Sequence, residues 1–207
     1  VRVGQAERAV DPDLVPRLRA VLTGFPPGTA AAAAAATIDV VVGTDRIWID
    51  TPAGLAWTTE SSDALGHVVL HLFLAGHPGT RLLATVHAAA LGPAGAGLVL
   101  MPGLSGAGKS TLTAFLAARG WRYAGDDIVA LGENADGPPV VLPFPSAVSV
   151  KPGSWPVLAP LYPGLASLPV VPYAEKTARF LPLPPATHVG PAAAGRVPRA
   201  IVFPRFD

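Results

Sequence analysis

The sharpest alternation of apolar and polar positions lies in "TIDVVVGTDRIWID", residues 37–50. Two β-rich runs flank Gly-Thr-Asp, which predicts a hairpin. "LAWTTE" (55–60) adds a third strand. Ser61 and Ser62 are candidate caps for a helix through "DALGHVVLHLFLAG", which stops at Gly76. Upstream, "PDLVPRLRAVL" (12–22) is a short helix candidate, weakened by Pro16. Downstream, "TRLLATVHAAAL" and "GLVLMPG" read as two strands joined by the turn "GPAGA". "KSTLTAFLAARG" then predicts a helix. Leu112, Phe115 and Leu116 fall on one face, and Gly120 supplies the C-terminal cap. The remainder reads as a strand at "WRYAGDD", strand pieces at "PVVLPF" and "SAVSVK", a helix at "GSWPVLAPL", and strands at "TARFLPL" and "RAIVFPRF". No internal repeat is found.

Strands and helices mixed in this way predict an α/β protein with a mixed sheet. Residues 1–80 are expected to form an N-terminal α/β accessory region and residues 81–207 a second domain. The chain starts on Val and ends on a strand-like run, so the expectation is a fragment lacking its C-terminal elements.

Composition narrows the functional classes. The net charge is +1, which gives no electrostatic case for nucleic acid. Basic residues are scattered, with no polybasic membrane patch. Cysteine is absent, which excludes disulfides, thiolate metal sites and a cysteine nucleophile. That fits a reducing, cytoplasmic setting; no signal-peptide pattern is found. The uncharged stretch from Leu82 to Gly108 is long enough to span a membrane. "GPAGAG" interrupts it at the midpoint, so two buried strands explain it better. The run Ala30 to Ala36 is low-complexity and inflates the hydrophobic fraction.

One motif dominates the chemistry. "GLSGAGKST" (103–111) places Gly103, Gly108, Lys109 and Ser110 in the spacing G-x-x-x-x-G-K-S. This composition yields roughly 0.003 chance matches to that pattern, and strand, loop and helix also occur in the required order. The pattern is that of a phosphate-binding loop. Glycines let consecutive N–H groups turn around an anion, and the following helix aims its positive end at it. Gly103, Ser105, Gly106, Ala107, Gly108, Lys109, Ser110 and Thr111 are therefore the candidate nucleotide-phosphate-binding residues. Lys109 reaches the β- and γ-phosphates and Ser110 holds Mg²⁺.

The strand entering this loop comes from another strand across a five-residue turn, which implies an antiparallel hairpin. Parallel phosphate-loop sheets reach the same strand through a helix. Asp126 and Asp127 in "YAGDDIVAL" follow Lys109 by 17 and 18 residues. Their strand should lie beside the loop strand with its tip at the phosphates. Two adjacent acids can divide metal binding and proton acceptance. Asp126 is assigned here as general base and Asp127 as metal ligand, and the two roles are exchangeable. A Gly-Asp-Asp turn is the alternative. His87, read as mid-strand in "TVHAAAL", can face the site; a core histidine is the alternative. His67 and His71 share a helical face but lack the glutamate and third ligand of a zinc site. With 12 Arg, the chain keeps only 3 Lys. Lys151, Lys176 and Arg179 join Lys109 as candidates to neutralise phosphoryl charge.

"TVH", "GLSGAGKST" and the closely spaced acidic pair together resemble the HPr kinase/phosphorylase group. The stretch from about Leu82 to Pro184 is more similar to HPr-kinase-related kinases, through "GDDIVAL", "PFP", "VKPGSW" and "KTARFLP". The resemblance implies a phosphoenolpyruvate-carboxykinase-like nucleotide domain, ATP, Mg²⁺ and transfer to a serine hydroxyl. It also implies that His87 is the family's active-site histidine and Asp126 with Asp127 its acidic pair. The E-I-R-G segment of true HPr kinases is not found; "SVKPG" stands roughly where it would fall. The expected partner is thus a protein or peptide substrate of open identity, and self-association stays open. An adenylylsulfate-kinase-like small-molecule kinase and a nucleotide-binding regulator without transfer activity are the alternatives. Transporter-type ATPases need a glutamine some forty residues after the loop, and Gln5 is the only one here.

Overall fold

A computed structural model describes residues 1–5, 11–24, 37–135, 137–173, 176–190 and 196–205. The alanine run at 30–36 lies outside them. The chain is mixed α/β and divides into two compact units. Val1–Arg19 and Pro27–Gly79 make the first; Ala20–Pro26 and Thr80–Asp207 make the second.

The first unit is one sheet covered by helices. Strands β1 (Arg2–Gln5), β2 (Asp39–Val42), β3 (Ile47–Thr51) and β4 (Gly54–Thr58) lie in that order. The β2–β3 hairpin and the β3–β4 pair are antiparallel, while β1 joins β2 in parallel. Alternation puts Val40, Val42, Ile47 and Ile49 on one face. There they bury against Leu14 and Leu18 of α1 (Leu14–Leu22) and Ala64 and Val68 of α2 (Ser61–Gly76). The cap of α2 differs from the expected one. Glu60 holds the N-cap position without a side-chain bond, and the Ser61 hydroxyl donates to Asp11 instead. A carboxylate is a stronger acceptor for that hydroxyl, which leaves the helix terminus to Asp63 in its first turn. The side chain of Ser62 lies outside the described residues.

The second unit is layered. Strands β5 (Leu82–Val86), β6 (Ala88–Gly92) and β7 (Leu98–Pro102) precede α3 (Lys109–Ala117). Next come β8 (Arg122–Gly125), β9 (Val129–Gly132), β10 (Val140–Leu142) and β11 (Val148–Val150). The short α4 (Trp155–Leu158), β12 (Val171–Tyr173), β13 (Lys176–Leu181) and β14 (Pro198–Ile201) complete it. The central sheet has the order β14-β7-β6-β8. β6 and β7 form the expected antiparallel hairpin, and β14 adds to β7 in parallel, so the sheet is mixed. Its two flanking sheets are β10-β9-β5 and β11-β13-β12.

Small residues let these layers approach. Ala88 and Ala90 face a cluster with Val129 and Val141 from one flanking sheet. Ala89 and Leu91 face Leu112 and Leu116 of α3. The other side of α3, Ala114 and Ala117 with Phe115, packs on Val148, Val150, Leu158 and Leu181. The helix is thus buried on two sides, so its three large apolar residues do not share one face. Leu112 and Leu116 turn to the central sheet and Phe115 turns away from it, because α3 lies between two sheets rather than on one.

Three sequence expectations change here. "TRLLATVHAAAL" is two strands, not one, and His87 sits at the break between them. β5 pairs with β9 while β6 pairs with β7 and β8, so the chain changes sheets at His87. β8 lies beside β6, one strand removed from β7. Two antiparallel steps restore its direction, so its end still falls at the same edge as the end of β7. The helix expected at "GSWPVLAPL" narrows to four residues behind a 3₁₀ turn at Pro152–Ser154, with Pro160 just beyond it. Strands β1, β9 and β12 lacked a clear pattern in the sequence. The uncharged stretch 82–108 holds β5, β6, β7 and the loop. Among the described residues, no helix is long and apolar enough to cross a membrane.

The end of α3 is closed as the sequence predicts. Trp121 N–H donates to Leu116 O and Gly120 N–H to Ala117 O, the Schellman pair of bonds. Gly120 has φ +87°. Gly120→Ala should lower stability by about 1 kcal/mol, since a Cβ disfavours that conformation. Equal or higher stability of the variant in urea titration would refute the cap.

Candidate functional site

Strand β7 delivers the chain into residues 103–108, and Gly108 stands at the N-cap of α3. Gly106 and Gly108 have φ +93° and +89°, and a Cβ added to either would meet nothing within 4 Å. The backbone conformation, rather than crowding, is therefore what calls for glycine at these two positions. Ala107 N–H bonds to Leu104 O and Leu112 N–H to Gly108 O, which tie the loop to itself and to the helix. This is the cradle that the sequence pattern demands.

Lys109 is only 6% exposed. Its ammonium donates to Gly103 O at 2.6 Å and Leu104 O at 3.0 Å, and lies 3.1 Å from His87 Nε2. All three N–H donors are thus engaged across the loop. Burial lowers the Lys109 pKa below its ordinary value, opposed by the charges of Asp126 and Asp127. With Lys109 donating to Nε2, the neutral His87 tautomer carries its proton on Nδ1. Nδ1 lies 3.4 Å from Asp127 Oδ1. Lys109, His87 and Asp127 form a connected row.

The two aspartates stand in opposite environments. Asp126 is 4% exposed, and neither carboxylate oxygen has a hydrogen-bond partner. Burial raises its pKa to about 6. The Ser110 hydroxyl and the Asp127 amide lie close enough to oppose that rise, but not in hydrogen-bonding geometry. Asp127 is about half open to solvent, with its side chain 43% exposed beside His87 at 53%. It also has φ +71°, the one positive value outside glycine among the described residues. Ile128 N–H bonds to Asp126 O and closes a three-residue turn around it. Such a turn is strained for a residue with a Cβ, and it points the two carboxylates different ways.

The structure brings together His87, Lys109, Ser110, Asp126 and Asp127. Thr111 belongs to the loop helix, but its hydroxyl is taken by Ser154 Oγ at 2.5 Å. Arg179 is held elsewhere. It donates to Leu168 O and stacks 4.0 Å above the Trp155 ring. Lys176 stands exposed where β13 begins. Lys151, by contrast, reaches the loop and donates to Ser105 Oγ at 2.7 Å. His67 and His71 stay on α2, and among the described residues no His, Asp and Glu group fit for a metal ion forms there. Ser154 was missed from sequence, because only the fold lays "KPGS" against the loop helix.

The residues fit a nucleotide with a divalent cation. A lysine spans the glycine loop, and an unpartnered buried carboxylate lies close to the Ser110 hydroxyl. Among known proteins, no family model matches this chain and no curated protein matches it.

Burial of Asp126 makes the fold sensitive to pH. A carboxyl raised to about 6 favours the folded state while protonated, below about pH 4. That contribution is lost as pH rises from about 4 through 6, on the order of 3 kcal/mol in total. Without added nucleotide, Asp126→Asn should lack this part of the pH slope of stability. Denaturation profiles of the two proteins that run parallel from pH 4 to 7 would show that Asp126 is not buried as a neutral acid.

Proposed function

We propose that the protein is an ATP-dependent kinase of HPr-kinase-like type, on a phosphoenolpyruvate-carboxykinase-like nucleotide fold. It transfers the γ-phosphoryl group of ATP to a serine-type hydroxyl of a protein or peptide. The observation that carries this reading is Asp126: a buried carboxylate with no hydrogen bond to either oxygen, close to Ser110 beside the glycine loop. A carboxylate in that position has its burial cost offset by a cation. The antiparallel β6–β7 hairpin supports this type over phosphate-loop proteins whose loop strand is reached through a helix. ATP as donor fits a cytoplasmic setting.

The environments favour exchanging the roles that sequence assigned to the acids. Asp126 and Ser110 would hold Mg²⁺, and Asp127 with His87 would take the acceptor proton. Mg²⁺ bound there neutralises charge on the transferring phosphoryl group. Lys109 and the amides of the loop orient the phosphates. The acceptor oxygen bonds to the γ-phosphorus as the bond to the β,γ-bridging oxygen breaks, ADP leaves, and the hydroxyl proton passes to Asp127. His87, between Lys109 and Asp127, holds that carboxylate in place.

Calorimetry and a labelled-ATP transfer assay on a peptide panel test this. Lys109→Ala should abolish ATP–Mg²⁺ binding; unchanged affinity and turnover would remove the loop from the function. Asp126→Asn should erase the Mg²⁺ dependence of nucleotide binding. Asp127→Asn should leave binding intact while transfer falls by roughly 10²–10⁴, the usual worth of acid–base catalysis. Reversed phenotypes would restore the opposite assignment of the acids. His87→Gln should lower transfer at nearly constant melting temperature; full activity would make His87 a bystander.

A further inference from the structure

We infer that Lys151 is a second phosphate-binding lysine, acting on the outermost phosphoryl group of the nucleoside triphosphate. The inference rests on the kinase reading of the site and extends it to a residue outside the loop motif.

Lys151 follows β11 and is held from both sides. Ser154 N–H bonds to Lys151 O, and Trp155 Nε1 donates to Val150 O. The Ser154 hydroxyl meets Thr111 on the loop helix. The four residues "KPGS" are therefore pinned to α3, and from that base the Lys151 ammonium reaches Ser105 Oγ. The main chain at Lys151 is thus fixed, and the bond to Ser105 holds the far end of its side chain. Lys151 is half-buried, and among the described residues no carboxylate pairs with it. An ammonium in that state is short of a counter-charge.

Its location says which charge is absent. Lys109 spans Gly103 and Leu104, and Lys151 lands on Ser105, the next residue. Two cations thus converge on one arm of the loop. Like charges brought to adjacent residues of one loop repel. An anion between them removes that repulsion. His87 meets Lys109 at the same arm, with Asp127 on its far side, so this is the reacting end of the proposed site. The group that sits there is the terminal phosphoryl, whose charge spreads over three oxygens during transfer. Arg179 lies across the register from Val150, but its guanidinium is committed to Trp155 and Leu168. The third scarce lysine, Lys176, stands exposed on the strand that carries Arg179. Of Lys151, Lys176 and Arg179, Lys151 is the one whose hydrogen bond reaches the loop among the described residues.

The test uses Lys151→Gln, which keeps an N–H donor for Ser105 but removes the charge. Calorimetry compares ADP with a non-hydrolysable imido analogue of ATP, each with Mg²⁺. Analogue affinity should fall roughly tenfold or more while ADP affinity stays within about twofold, because only the triphosphate presents the extra charged group. Lys151→Arg should recover most of the analogue affinity. Equal losses for ADP and the analogue would mean that Lys151 only supports the loop, and would overturn the inference. So would wild-type affinities and transfer rate in Lys151→Gln, with the kinase reading left standing. A wild-type protein that binds neither nucleotide would bring down the reading and the inference together.

Discussion

A carboxylate taken out of water with no hydrogen bond to either oxygen is one of the most expensive groups a fold can hold. Asp126 is such a group, and the architecture around it is arranged to keep it there. It follows directly from β8, whose Tyr123 is buried and donates its hydroxyl to Ser146 O. Tyr123 and Ala124 turn to opposite faces and enter the clusters on either side of the central sheet. The strand cannot shift by one residue without reversing both. The strained turn at Asp127 then separates the second acid from the first. One acid stays dry and the other meets solvent, although they are adjacent in sequence.

The same packing places the cations. α3 is confined between two sheets, with alanine on the surfaces that approach most closely. Interiors of this density transmit displacement, so the loop at the head of the helix inherits the rigidity of its surroundings. Lys109 bridges three acceptors across that loop, and Ser154 and Lys151 brace it from the side. To meet an anion, the Lys109 ammonium must exchange bonds to Gly103 O, Leu104 O or His87 for it, while the backbone that carries it stays in place.

How much of the site could be read from sequence differs by residue. Gly106, Gly108, Lys109 and Ser110 were legible because their chemistry is local: a tight loop, a helix terminus and a lysine at fixed spacing. The acidic pair is legible as a pair, but not which acid is buried, since burial depends on which sheets close over β8. His87 was legible as a candidate and misplaced as an element. Nothing in "TVHAAAL" marks a change of sheet, because both halves of the run are equally apolar. Charge alone marks Arg179 in the sequence, whereas in the fold Trp155 and Leu168 hold its guanidinium.

By itself the sequence determined the hairpin into the loop, the loop's conformation and the extent of α3, including its end at Gly120. These follow from glycine's access to positive φ, from periodicity and from capping, all of which act over a few residues. Only the tertiary structure decided that β8 lies beside β6, that α3 is buried on two sides, that Asp126 is dry while Asp127 is wet, and that Lys151 rather than Arg179 meets the loop. Each of these depends on contacts between segments distant along the chain. Their free energy comes from burial and desolvation, which no short window of residues contains.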